Sequence, residues 1–227
     1  MFVYSLSGLH VQGQELQADI ELEDNATTAR LGVYQLLSRL VAPPDGDVYA
    51  AAAAGEWPGR LSEAGKLLPY SMDFGEANVP GSLSQEAFEA EYLRLFEVGD
   101  GVGGPGLPLF GGVYGGDRIQ RLEEVVRFYE YFGLTTSAED PRPADCLSTE
   151  LEFMKYLTYK EASTPSDRLR TSFRRAQHDF LERQLAWLPE VVRRAPEFRP
   201  LAFWQWAIET VSGFATADAA YARAACA

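Results

Sequence analysis

Nine of the eighteen residues from Gly99 to Gly116 are glycine. A segment of that composition cannot sustain a helix, because each glycine gives up backbone entropy and has no side chain to pack. It divides the chain in two, and on both sides apolar residues recur at the three- and four-residue intervals of amphipathic helices. Upstream, Leu31, Tyr34, Leu37, Leu40 and Val41 define one buried face, with Thr27 and Thr28 as caps and Pro43-Pro44 as the stop. Val48 to Ala54 and Leu61 to Leu68 predict two shorter helices, separated by Gly55 and by Trp57-Pro58-Gly59. Ser82 with Gln85 has capping-box spacing ahead of a helix carrying Phe88, Tyr92, Leu95 and Phe96.

Downstream, Asp117 caps a helix bearing Ile119, Leu122, Val125, Val126, Tyr129 and Phe132, with Gly133 at its end. A connection from Thr135 to Pro143 leads to a helix beginning near Asp145. Beyond Pro165 an amphipathic stretch runs through Leu169, Phe173, Phe180, Leu185 and Leu188. Pro200 suits the first turn of a last helix with Phe203, Trp204, Ile208, Val211 and Phe214. No strand pattern of comparable strength appears, although Met1 to Leu9 is compatible with a paired extended arm. The expected fold is all-α, a single-domain helical bundle. Its expected parts are an N-terminal arm over 1–25, a helical domain over 26–214 and an Ala-rich tail over 215–227 that is a fraying helix or disordered.

With 227 residues, 46% hydrophobic and 12% aromatic, the chain can bury one sizeable core. Its longest strongly apolar stretch, Leu201 to Ile208, is interrupted by Gln205 and falls short of the roughly 20 residues that cross a bilayer. Met1 to Leu9 lacks both a basic start and a small-residue cleavage site, so it does not read as a secretory signal, and a cytoplasmic location is expected. Cys146 and Cys226 are then expected as reduced thiols. The net charge of -13 opposes nucleic-acid binding, which needs clustered Lys or Arg. Residues 1–100 hold 16 acids and 5 bases, net -11, against 17 acids and 15 bases, net -2, in 101–227. The acidic half suits a basic polypeptide partner; the plainer alternative is that acidity keeps the chain dissolved.

Gly99-Asp100-Gly101-Val102-Gly103-Gly104 spells GxGxxG, but a helix precedes it where a dinucleotide site needs a strand, and no GK[ST] follows. A sharply bent loop that admits another backbone is the better account. Asp145 is expected at a helix start, where capping alone would explain it. Glu150 and Glu152 are two apart, so one is expected to meet water and the other to turn toward core or groove. Cys146 near a helix N-terminus is either a reactive thiol or a partly buried, inert one. With only His10 and His178 in the chain, nucleophilic catalysis and a zinc site are poorly supported. The run Arg168, Arg170, Arg174 and Arg175 reads as a solvated face beside Asp167, Asp179 and Glu182, and Tyr92, Trp187, Trp204 and Trp206 read as core or groove wall.

Three segments taken in order, Glu91-Tyr92-Leu93-Arg94-Leu95-Phe96, then Gly104-Pro105-Gly106, then Pro143-Ala144-Asp145-Cys146-Leu147 running into Glu150-Leu151-Glu152-Phe153-Met154, resemble one family. The order EYxxLF, GPG and PxD(H)LxxELEFM is similar to that of the TorD/DmsD/NarJ-like cytoplasmic chaperones that mature molybdoenzymes of the DMSO reductase type. The loop and the ELEFM helix most resemble the chaperones of type II enzymes such as nitrate, selenate and chlorate reductases. The resemblance implies a non-enzymatic chaperone that binds the apo catalytic subunit and its basic twin-arginine leader. It would hold no cofactor itself while molybdopterin guanine dinucleotide enters the client, and it would be a monomer or homodimer. It implies a peptide-binding groove at Gly104, Pro105, Gly106, Phe110 and Tyr114 and at the corner formed by Pro143 and Asp145. Tyr92, Cys146 and Glu150 complete the candidate client-binding set. Cys146 stands where the family usually has histidine, and Gln184 replaces a second histidine in Phe180-Leu181-Glu182-Arg183-Gln184-Leu185-Ala186-Trp187-Leu188-Pro189, so pH sensing through those groups is not expected here. The readings from other classes are a cysteine- or nucleotide-dependent enzyme and a generic helical scaffold.

Overall fold

The computed structural model describes residues 9–11, 22, 23, 25–99, 104–136 and 142–226, and over these the protein is all-α apart from one two-stranded ribbon. Of the expected arm over 1–25, residues 1–8, 12–21 and 24 lie outside the described residues, as do residues 100–103 of the GxGxxG run and 137–141 of the connection to Pro143.

Helix α1 (Ala26–Leu40) starts one residue before the expected cap. Asn25 is the residue with extended backbone, its side chain accepts from the N–H groups of Thr27 at 2.8 Å and Thr28 at 3.2 Å, and Thr28 Oγ1 accepts from the Asn25 N–H in return. Asp45 caps α2 (Gly46–Ala53) through the Val48 N–H. Helix α3 (Trp57–Ala64) begins inside the tripeptide expected to break the chain, because a proline in the first turn removes an N–H that has no helical acceptor anyway. Ser84, not Ser82, caps α4 (Gln85–Tyr92), and a wide π-turn, Leu93–Glu97, follows it and carries Leu95 and Phe96 into the core.

After a short 3-10 turn at Gly111–Val113, Asp117 caps α5 (Arg118–Tyr131) as expected, accepting from the Ile119 and Gln120 N–H groups. Gly133, with φ of +71°, reverses the chain into β2 (Leu134–Thr136), which pairs antiparallel with β1 (Leu9–Val11), Leu9 opposite Thr136. Helix α6 (Leu147–Ser163) buries fourteen of its seventeen residues, so it is covered on nearly all sides. Its main neighbours are α1 and α7 (Asp167–Gln184), and α7 in turn packs on α9 (Ala202–Cys226), with α8 (Leu188–Arg194) beside them. Among the described residues no helix is long and apolar enough to cross a membrane.

Two aromatic centres hold this arrangement. Phe88, Tyr92, Phe96 and Phe203 surround Trp204, and Phe128, Tyr129, Phe132 and Phe180 surround Phe153. Between α1, α6, α7 and α9 lies a buried ionic network. Arg30 reaches Asp218 through Nε at 2.5 Å and Nη2 at 2.8 Å, Glu161 at 3.3 Å and Gln177 at 2.5 Å. Tyr34 and Tyr70 donate to Asp218, while Arg174, Gln177 and Thr27 donate to Glu161. The Ala-rich end is therefore no loose tail: α9 runs through position 214 unbroken, with Ala215, Asp218 and Ala222 buried.

Candidate functional site

The stretch that follows Gly104-Pro105-Gly106 pairs with the third family-like segment. Gly111 N–H donates to the Asp145 carbonyl at 3.1 Å and Leu147 N–H to the Leu109 carbonyl at 2.9 Å, which sets Phe110 opposite Cys146 in a single antiparallel bridge. The glycine-rich segment is thereby stitched to the start of α6. Asp145 does not cap that helix. Cys146 occupies the cap position without a side-chain cap bond, and the Asp145 carboxylate, 1% exposed, instead accepts from the Gly112 N–H at 2.8 Å. A Cβ on Gly112 would lie 3.0 Å from that carboxylate and 2.8 Å from Arg118 Cγ, so glycine is what lets the turn close over Asp145.

One helical turn further on, Glu150 has no solvent exposure and neither of its oxygens has a hydrogen-bond partner. Arg121 Nη2 stands 3.7 Å from Glu150 Oε1, an ion pair beyond hydrogen-bond reach. The Arg121 head donates to the Gln184 carbonyl and, at 3.3 Å, to the Arg183 carbonyl at the end of α7, leaving Nε without a partner. Gln184 Oε1, the Trp187 indole N–H and the Tyr114 hydroxyl are likewise unpartnered and buried. Tyr114 stacks on Trp187 with centroids 4.9 Å apart, and Arg194 covers the outer face of this pair 5.6 Å from the Tyr114 ring. Burial pushes the Glu150 carboxyl well above the usual carboxylate range; Arg121 opposes the shift, Asp145 adds to it, and the nearby Trp187 N–H opposes it. Unsatisfied buried polar groups are rare, and several gathered at one point make this corner the candidate site.

The other expected residues fall around this corner unevenly. Gly104 is exposed with φ of +79°, Pro105 and Pro143 are half-buried, and Gly106 lies against the Phe198 ring while its carbonyl accepts from Arg194. Phe110 and Tyr114 are half-buried at the bridge. Tyr92 belongs elsewhere: it is core, T-stacked on Phe96 and Trp204, its hydroxyl bonded to the Val41 carbonyl at 2.9 Å. The expectation that one of Glu150 and Glu152 meets water is also corrected, since both are buried on a helix surrounded by others. Cys146 is buried against Ser148, and burial raises its thiol above the ordinary range despite Ser148 and Arg142, contrary to a reactive cysteine. Among the described residues no three His, Cys, Asp or Glu side chains are grouped to hold a metal ion. Arg121 was not legible as a site residue, because an arginine among the charges of an amphipathic helix carries no spacing signal. Gln184 and Trp187 were visible in the Phe180 to Pro189 pattern but not as neighbours of Glu150.

Comparison with known proteins fits this geometry. A selenate reductase assembly chaperone protein of Thauera selenatis is 40% identical over 151 residues, 65% of this chain and 70% of that protein. A perchlorate reductase assembly chaperone protein of Dechloromonas aromatica is 35% identical over 172 residues, 72% of this chain and 76% of its own. A chlorate reductase assembly chaperone protein of Ideonella dechloratans is 33% identical over 180 residues, 76% and 79% of the two chains. Fold and relatives define the class: helical assembly chaperones. Residues 63–193 match the nitrate reductase delta subunit family, and the chain belongs to it. The matched stretch contains Arg121, Asp145, Glu150, Gln184 and Trp187, while Arg194 lies one residue beyond it. No solved structure matches the chain significantly.

Proposed function

We propose that this protein binds the apo catalytic subunit of a DMSO-reductase-type molybdoenzyme and holds it until its cofactor has been inserted. It is a maturation chaperone and not an enzyme, as its family is. The named targets of the relatives suggest a reductase of the selenate, perchlorate or chlorate kind as the client. The observation that carries the binding mode is the corner where the glycine-rich segment is stitched to α6 over two buried carboxylates, one of them without a hydrogen-bond donor.

In this reading the client contributes a basic, partly apolar leader that orders on binding. Its apolar residues lie along Phe110, Tyr114 and Trp187, and its guanidinium meets Glu150. Asp145 is a positioning residue: by fixing Gly112 it fixes the turn that presents the groove. Masking the leader in the cytoplasm would delay export until molybdopterin guanine dinucleotide occupies the client, and this chain need hold none of it. The test has two arms. Deletion of the gene is expected to leave the cognate reductase poor in molybdenum, and titration with a leader peptide is expected to weaken in Asp145→Ala, which removes the acceptor of the Gly112 N–H. A reductase that fills with metal normally in the deletion strain, and never co-purifies with this chain, overturns the proposal.

A further inference from the structure

We propose that Arg121 is an internal placeholder for a client arginine, seated against Glu150 in the free protein and displaced when the leader binds. This rests on the reading that a basic leader docks at the corner, and it adds which contact must be broken first.

The polar groups around Glu150 are left unpaired. Both Glu150 oxygens and Gln184 Oε1 are acceptors without donors, the Trp187 indole N–H and Arg121 Nε are donors without acceptors, and the Tyr114 hydroxyl, able to act as either, is unpartnered too. A cation rich in N–H groups and free of acceptors is the complement of such a site, and a planar fork can serve two carboxylate oxygens at once. Arg121 supplies that chemistry badly. Its head is turned to the Arg183 and Gln184 carbonyls and only grazes Glu150, at 3.7 Å. It sits at the rim, its side chain 15% exposed against 0% for Glu150, so it can withdraw toward water without unfolding anything. The head also lies over Gly111, where a Cβ would come within 2.4 Å of Arg121 Nε and Nη2; the missing side chain makes the seat. A leader arginine entering beside the Tyr114–Trp187 stack would take both Glu150 oxygens, and Arg121 would swing outward.

The exchange moves a proton. Glu150 faces Arg121 and Tyr129 from α5, Asp145 from the start of α6, and Gln184 and Trp187 from the α7–α8 junction. With its carboxyl pushed up by burial, it takes up a proton more readily in the free protein than an ordinary carboxylate does, and pairing with the incoming guanidinium favours the ionised form. Binding of an arginine leader therefore strengthens as pH rises toward the elevated value.

The experiment is calorimetric titration of the full chain with a synthetic leader carrying an Arg-Arg pair and with its Lys-Lys counterpart, across a range of pH. Arg121→Gln is expected to bind the Arg-Arg peptide about tenfold tighter than the unaltered chain, since the competing internal contact is gone, with little gain for Lys-Lys. Gly111→Ala, which pushes the Arg121 head aside without removing it, gives the same direction and stands in if Arg121→Gln fails to fold. Glu150→Gln loses both the preference for arginine and the pH slope. Equal or weaker Arg-Arg binding by Arg121→Gln and Gly111→Ala overturns the placeholder while leaving the chaperone reading intact. If the unaltered chain binds neither peptide yet still captures the apo subunit, the leader reading falls and the placeholder with it.

Discussion

Glu161 and Glu150 lie on the same helix, eleven residues or about three turns apart, and so on nearly the same face. Both have no solvent exposure. Glu161 receives Arg30, Arg174, Gln177 and Thr27; Glu150 receives nothing within hydrogen-bond range and one arginine at 3.7 Å. The first region joins helices from the two ends of the chain, Arg30 on α1 to Asp218 on α9, and its bonding capacity is spent on the fold. The second joins the glycine-rich segment to the start of α6, and the oxygens of Glu150 there accept no hydrogen bond. A buried charge in one helix can thus serve architecture or recognition, and its partners tell which.

The largest effect should come from cutting the satisfied network. Asp218→Ala removes the acceptor of Arg30, Tyr34 and Tyr70 and strands a buried guanidinium, so denaturant unfolding should show a loss of about 3–5 kcal/mol. A loss under about 1 kcal/mol would erase the contrast between the regions.

Glu150→Gln should act with the opposite sign, raising stability at neutral pH by about 1–3 kcal/mol, because a buried carboxyl without partners is costly to ionise. Its carboxyl is raised in the folded state, so the native chain is favoured below the ordinary carboxylate pKa and loses that advantage as pH climbs toward the elevated value. The difference between the two proteins should vanish near pH 4 and grow above it; thermal melts at stepped pH would show a flat difference if Glu150 were paired.

Asp145→Ala should cost stability about 1 kcal/mol, since the Gly112 N–H loses its acceptor. Its larger consequence belongs to leader binding, and equal leader affinity with an intact fold would remove Asp145 from the positioning role. The smallest effect is expected at Cys146. In a Cys226→Ser background the native chain should react with iodoacetamide far more slowly than the unfolded chain, and rapid native labelling would show that the corner opens readily.

Periodicity alone carried most of the helices, because an amphipathic stripe is a local signal read within one or two turns. Helix starts were less legible: Asn25, Asp45 and Ser84 win their caps through backbone angles, and several Ser, Thr, Asn and Asp side chains near each start qualify by type. The candidate site was visible in part. Asp145 and Glu150 were marked by their motif, and Phe110 is bridged to Cys146 between them, while Gly106 lies against Phe198; Tyr92, marked by the same means, is core, packed against Trp204.

The sequence by itself determined that this chain is helical, that a glycine-dense segment breaks it near its middle, and that its motif order is that of assembly chaperones. Each of these is a property of neighbouring residues or of their order. Only the tertiary structure decided that Arg30 finds Asp218 across 188 positions, that Asp145 fixes a loop instead of a helix end, and that Arg121 is the residue facing Glu150. Pairings between distant charges depend on which helix faces meet and how completely water is excluded there, and neither quantity is written in local spacing.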